Sequence, residues 1–194
     1  MRFQKILTDV DGVLLDWETA FHAWMAEKGY DRTGDSEISY HMDQLYGIDK
    51  ERAKELILRF NESAWIGYLK PLRDSVEVLH EMMIQEGFHF EAITSLSLDH
   101  WAGELRRKNL ERWFGASVRR CICLDCGGDK DEILKEYDPT WWIEDKWENA
   151  IAGLNAGHRV ILMNHGHNQD RTDDRIYRAD NWKEIYSIIK ENPL

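Results

Sequence analysis

No stretch of this sequence approaches the roughly 18–20 consecutive apolar residues that a membrane-spanning helix requires. The opening MRFQKILTDVDG has too short an apolar run for a secretion signal and leads straight into carboxylates, so a soluble, cytoplasmic protein is expected. Proline is scarce, with three residues, and neither an internal repeat nor a low-complexity stretch is present. With 43% hydrophobic and 31% charged residues, the composition is that of a globular chain rather than a disordered one. Its 194 residues suit one ordinary domain, or a core domain carrying a modest insertion. Positive charge is in deficit, leaving a formal net charge of -11. That field repels polyanions and argues against a nucleic-acid polymer as partner. A small phosphorylated substrate stays open, because a divalent cation can invert the field inside one cleft.

Cysteine is scarce too, and clustered: Cys121, Cys123 and Cys126 are all there is. A zinc site usually needs a fourth ligand and two spaced pairs, and His100 and His158 stand well away in sequence. The favoured reading is a buried strand whose reduced thiols act as small apolar groups.

What is present is an alternation of strand and helix patterns. Phe3–Val10 reads as a short buried strand broken by Asp11-Gly12. From Trp17 to about Gly29 the spacing of Trp17, Phe21, Trp24 and Met25 is helical, residues 30–40 are polar and turn-rich, and a further helix covers Lys50–Phe60. After Pro71 the rhythm becomes regular. A helix capped at Asp74 or Ser75 and stopped by Gly87 precedes a strand at Phe88–Ile93. Then come a helix from Leu98 to about Leu110, a strand at Arg120–Leu124 and a helix at Lys130–Tyr137. A very short strand at Trp141–Ile143, a helix over Trp147–Leu154, a strand at Val160–Met163 and a last helix capped by Asn181 complete the pattern. Nearly all-apolar strands alternating with helices predict an α/β fold: a three-layer, Rossmann-like parallel sheet with helices on both faces. The helices-only segment 16–70 reads as a small inserted helical cap, leaving 1–15 and 71–194 as the core.

Ligands of an open parallel sheet bind beyond the carboxyl ends of its strands. Those ends carry Asp9 and Asp11, Thr94-Ser95, a glycine loop leading to Lys130, and Glu144-Asp145. Asp9 and Asp11, two apart on extended backbone, lean to the same side. One such carboxylate can attack phosphorus while the other moves the proton of the leaving oxygen and then of water. Crowded carboxylates favour a hard cation, and oxygen-only ligands suit Mg2+. Lys130 adds positive charge, and Thr94 with the amide of Ser95 can donate to phosphate oxygens.

The segments DVDGVLLD, ITS, Lys130 and IEDKWENAIAGLNAG resemble, in order and spacing, the four motifs of the haloacid-dehalogenase-like hydrolases. That resemblance implies Asp9 as nucleophile, Asp11 as general acid/base, Thr94 on the phosphoryl group and Lys130 on nucleophile and phosphate. It further implies Mg2+ held by the Asp9 and Asp145 side chains and the Asp11 carbonyl. Glu144 either touches the metal or orients Lys130. DVDGVL with a small helical segment looks somewhat like the deoxyribonucleotidase branch, which makes a nucleotide or deoxynucleotide the favoured phosphomonoester. The Glu-Asp pair is similar to that of beta-phosphoglucomutase-type members, which keeps phosphoryl transfer on a sugar phosphate as an alternative. A non-catalytic phosphate- or partner-binding protein is the third reading. Away from these motifs, His165 and His167 read as solvated loop histidines, and Arg106, Arg107 and Lys108 as a solvated helix face. Trp141 and Trp142 read as core. Trp17, Phe21 and Trp24 form an aromatic stripe that packs cap on core, with stacking on a base or sugar as the other option.

Overall fold

A computed structural model of the chain describes residues 4–33 and 41–194. Six strands, β1 (Gln4–Thr8), β2 (Phe88–Ser95), β3 (Val118–Leu124), β4 (Trp141–Glu144), β5 (Arg159–Met163) and β6 (Ile176–Ala179), form one sheet in the order β3-β2-β1-β4-β5-β6. All neighbouring pairs are parallel. The strand order reverses at β1, which pairs with β2 on one side and β4 on the other, so the crevice beyond its carboxyl end lies at a topological switch point.

The period of two along the strands divides the core between the faces. Ile6, Phe90, Ala92, Ile143 and Ile161 turn to one side, together with apolar residues of α4 (Ser75–Glu86), α5 (His100–Phe114) and α8 (Trp182–Glu191). Leu7, Ile93, Trp142, Val160 and Leu162 turn to the other, against α6 (Asp131–Lys135) and α7 (Trp147–Asn155). The sheet is therefore covered on both faces, as the apolar strands predict. Trp141 and Trp142 are fully buried. Gly153 allows α7 to approach, since a Cβ there would lie 2.3 Å from the Trp142 ring.

Between Leu15 and Pro71, which form an isolated bridge, the regular structure among the described residues is helical: α1 (Trp17–Glu27), α2 (Met42–Tyr46), α3 (Lys50–Asn61) and a 3-10 turn at Ala64–Tyr68. Asp16 and Asp49 start α1 and α3 by accepting from Thr19 N and Arg52 N. Phe21, Trp24 and Phe60 are buried, with Trp17 and Phe21 stacked at 4.6 Å. The turn-rich reading of 30–40 falls partly on 34–40, outside the described residues, and residues 30–33 carry no regular structure.

The structure corrects the sequence reading in several places. β6 was not anticipated: only Ile176 and Ala179 of its four residues are buried, because it pairs on one side only. The short α2 was also missed. α5 runs on to Phe114, β3 starts at Val118, and α6 spans Asp131–Lys135. Asp74 stands at the start of α4 without capping it; its carboxylate accepts instead from Trp182 N at 2.9 Å and Lys183 N at 3.0 Å, at the start of α8. No helix among the described residues is long and apolar enough to cross a membrane.

Candidate active site

Asp9 follows β1 directly, and its amide still donates to Ile143 O of β4 at 2.8 Å. That bond fixes the Asp9 backbone beside the end of β4, where Glu144 and Asp145 follow. Lys130, at the start of α6, reaches back across the sheet edge: its Nζ lies 2.8 Å from Asp9 Oδ1 and 2.9 Å from Glu144 Oε2. It also sits over the Trp142 ring, 5.1 Å from the centroid. Lys130 is 1% exposed and Glu144 0%, so this is a buried ion-pair network whose members need one another.

The network is short of positive charge. Burial pushes the Asp9 carboxyl up to about 8, and Glu144 beside it adds to the effect against the pull of Lys130. Burial likewise lifts Asp145 to about 7, with Asp9 contributing, and raises Glu144. For Lys130, burial favours loss of the proton, but Asp9 and Glu144 outweigh it and keep the ammonium charged. Oxygens of Asp9, Glu144 and Asp145 lie within 4.8 Å of one another, a hard, oxygen-only donor set that fits a divalent cation. Glu144 is already engaged: Oε2 accepts from Lys130, and Oε1 from Lys146 N at 3.1 Å and Asn149 Nδ2 at 3.3 Å. That leaves Asp9 and Asp145 as the carboxylates available to a metal. Gly12 has φ +76°, and a Cβ there would lie 2.5 Å from Asp145 Oδ2, so glycine is required for the two acidic loops to meet.

Asp11 departs from the carboxylate cluster. Its two oxygens accept from Arg106 Nη1 at 2.6 Å and Nη2 at 2.8 Å, a bidentate pair. Arg106 is 0% exposed, which overturns its reading as part of a solvated face. Arg107 and Lys108 are exposed as expected. The signal was available in the helical period, since Arg106 shares the buried stripe of Ala102, Asn109 and Leu110. Thr94 is buried at the end of β2. The Ser95 hydroxyl donates to Gly128 O at 2.7 Å, tying the β2 end to the loop that precedes Lys130.

The histidines after β5 are not solvated. His165 donates from Nε2 to Gly12 O at 2.7 Å, and His167 Nε2 lies 3.1 Å from Asp145 O, the two rings stacked 5.5 Å apart. Asn168 Nδ2 also donates to Asp145 O, at 2.6 Å. Burial lowers both imidazole pKa values, which suits neutral rings that donate through one nitrogen. Sequence reasoning missed these supports of the acidic loops, because their partners are backbone carbonyls that leave no mark in the sequence. Beside them opens a cavity of about 520 Å3, lined by Met42, Lys50 and Ile57 from the helical segment and by Lys146, Trp147 and His167.

Comparison with known proteins agrees with this fold. The pattern of the family described as 5' nucleotidase, deoxy (Pyrimidine), cytosolic type C fits residues 3–192. A 32.4 kDa protein of enterobacteria phage T4 is 28% identical over 204 aligned positions, covering 96% of this chain and 71% of the relative. Among solved structures, a haloacid-dehalogenase-like hydrolase from Streptococcus pneumoniae superposes with a TM-score of 0.67 at 12% identity, covering 96% of this chain and 98% of the other. CbbY from Rhodobacter sphaeroides, solved with phosphate, gives 0.58 at 17% over 94% and 96%. A putative beta-phosphoglucomutase from Bacteroides vulgatus gives 0.59 at 19% over 97% and 88%. At these identities the structures speak for the fold. The match across nearly the whole chain carries more: this protein belongs to the 5' nucleotidase, deoxy (Pyrimidine), cytosolic type C family of haloacid-dehalogenase-like phosphatases.

Proposed function

We propose that the chain hydrolyses a nucleoside or deoxynucleoside monophosphate through a phospho-aspartate on Asp9, with Mg2+ as cofactor. The observation that carries the reading is Lys130 held between Asp9 and Glu144 with Asp145 alongside. This is a buried array short of positive charge, and a divalent cation and a phosphate together would complete it.

In this mechanism an Asp9 oxygen attacks phosphorus, the bond to the ester oxygen breaks, and Asp11 gives its proton to the departing alcohol. Asp11 then takes a proton from the water that cleaves the acyl phosphate, which returns Asp9 as a carboxylate. Lys130 stays charged throughout and offsets the negative charge on nucleophile and phosphate. Glu144 acts on Lys130 as a positioning residue. For Asp11 to reach the leaving oxygen, at least one of its two Arg106 contacts must open. The Asp9 and Asp145 carboxylates with the Asp11 carbonyl would hold Mg2+, which supplies positive charge to the transferring group. Thr94 and the Ser95 amide are assigned to phosphate oxygens.

Segment 16–70 is assigned as the cap that chooses the substrate. Its partly exposed Trp17, stacked on Phe21, offers a face for a base, and the cavity beside His167 offers room for a leaving group.

The test is phosphate release from nucleotides, sugar phosphates and phosphorylated acids with Mg2+, alongside Asp9→Asn and excess EDTA. Nucleoside monophosphates are expected to turn over best, with activity lost in the variant and on chelation. Equal turnover by Asp9→Asn removes the nucleophile, and activity surviving chelation removes the metal. A sugar phosphate isomerised without phosphate release points to a mutase. No turnover on any substrate, with Mg2+ still bound, points to a binding protein.

A further inference from the structure

The three thiols have no part in the chemistry above, and none is in a disulfide. Cys121 and Cys123 project from the same face of β3, an edge strand, with sulfurs 4.0 Å apart. Cys123 is the register partner of Thr94 on β2, which places it one strand out from the phosphate-binding end of the sheet. On this face α5 packs over β3, and the positive charges of its Arg106 and Arg107 act on both sulfurs.

We propose that Cys123 is a thiol-modification site that takes up low-molecular-weight disulfides with Cys121 as its hydrogen-bond partner, and that occupancy shuts the adjacent phosphatase site. The shut-off, though not the modification, rests on the function proposed above.

The groups facing Cys123 favour the thiolate. The hydrogen bond from Cys121 brings its pKa down to about 7, with Arg106 and Arg107 helping and burial and Asp11 opposing. The cost falls on Cys121, whose thiol is pushed well up by the same bond and by burial. Cys126 is unlike both: burial raises its pKa, and its sulfur accepts from Asn61 Nδ2. At neutral pH a thiol with a pKa near 7 is about 50-fold richer in thiolate than one near 9. Weaker nucleophilicity takes back about tenfold, for a net gain of about fivefold.

An internal Cys121–Cys123 disulfide is the poorer product. Residues i and i+2 of a strand have Cα atoms about 6.6 Å apart, close to the upper limit of roughly 6.8 Å for a disulfide. An external partner meets no such limit. The Cys123 thiolate attacks one sulfur of the small disulfide, the new S–S bond forms, the old one breaks, and one thiolate leaves and takes a proton from water. The small disulfide is thereby its own oxidant. An adduct on this sulfur must either displace α5 side chains around Arg106, which holds Asp11, or project over Thr94. Both routes disturb the phosphate site.

The experiment treats the full chain, and its Cys121→Ala, Cys123→Ser and Cys126→Ser variants, with glutathione disulfide. Adducts are mapped by peptide mass spectrometry and turnover is followed with Mg2+. Cys123 is expected to react at least about fivefold faster than Cys126 at neutral pH, with a rate midpoint near pH 7 that moves upward in Cys121→Ala, which removes the donor. Turnover should fall about tenfold or more with adduct occupancy, return on reduction with dithiothreitol, and be insensitive to glutathione disulfide in Cys123→Ser. Preferential reaction at Cys126, equal reaction at all three thiols, or no adduct overturns the site. A full adduct with unchanged turnover overturns the shut-off. If the untreated protein turns over nothing, the proposed function has failed, and the adduct map still decides the thiol site.

Discussion

Asp9 and Asp145, whose carboxyls are lifted to about 8 and about 7 mainly by burial, give the metal-free protein a pH signature. A carboxyl with a raised pKa binds its proton more tightly in the folded than in the unfolded chain. The stability it contributes is therefore complete at acid pH and is lost as pH rises through 7 and 8. A divalent cation must displace those same protons. The rise in Tm produced by Mg2+ should accordingly be small near about pH 6 and grow to about pH 8, and Asp145→Asn should abolish it. Thermal unfolding over a pH series checks this, and a pH-independent shift contradicts it. The strand-end acids were legible because buried apolar strands announce where they stop. Arg106 was not, since an Arg-Arg-Lys run reads as solvated and its partner Asp11 lies 95 residues away. Only the helical stripe hinted at it.

At the scale of elements, the strand-helix alternation was readable wherever both faces of a strand are covered. It failed at β6, an edge strand whose middle residues face outward or are half covered, leaving no apolar run to recognise. Capping was readable at Asn181, which accepts from Glu184 N. It was misread at Asp74, because a carboxylate can choose the amides of a helix distant in sequence. Asp74 therefore belongs energetically to α8. Asp74→Ala should cost about 1–2 kcal/mol, or a few degrees of Tm for a chain of this size. The loss should appear as faster hydrogen exchange at the start of α8, with α4 unchanged. Exchange that accelerates at α4 alone would contradict the assignment.

Across the whole molecule, the end of α3 is tied to the segment just beyond β2 by Asn61 and by Glu62, whose carboxylate accepts from Ser97 Oγ at 2.7 Å. Asn61 at the end of α3 accepts from the Trp17 indole at 2.9 Å and donates to Leu96 O, just beyond β2, at 2.9 Å. Replacing it with Ala leaves a buried carbonyl and an indole N–H without this partner, worth roughly 1–3 kcal/mol. If the 16–70 segment positions substrate, Asn61→Ala should raise KM several-fold while changing kcat much less; an unchanged KM would show that the tie is structural only. The segment was legible as a break in rhythm. The tie was not, since a lone asparagine at a helix end usually signals nothing more than the end.

The place of β1 also bears on how the chain comes into being. Made before the other five strands, it must wait for β2 on one flank and, much later, for Trp141–Glu144 on the other. A nascent chain still lacking that segment presents Ile6 and Leu7 on a strand with one open flank, a template for unwanted pairing. The strand that leads into Asp9 is made before the other five, yet its neighbourhood is complete only once Trp141–Glu144 has followed, so the buried carboxylate array cannot assemble until that late segment is in place.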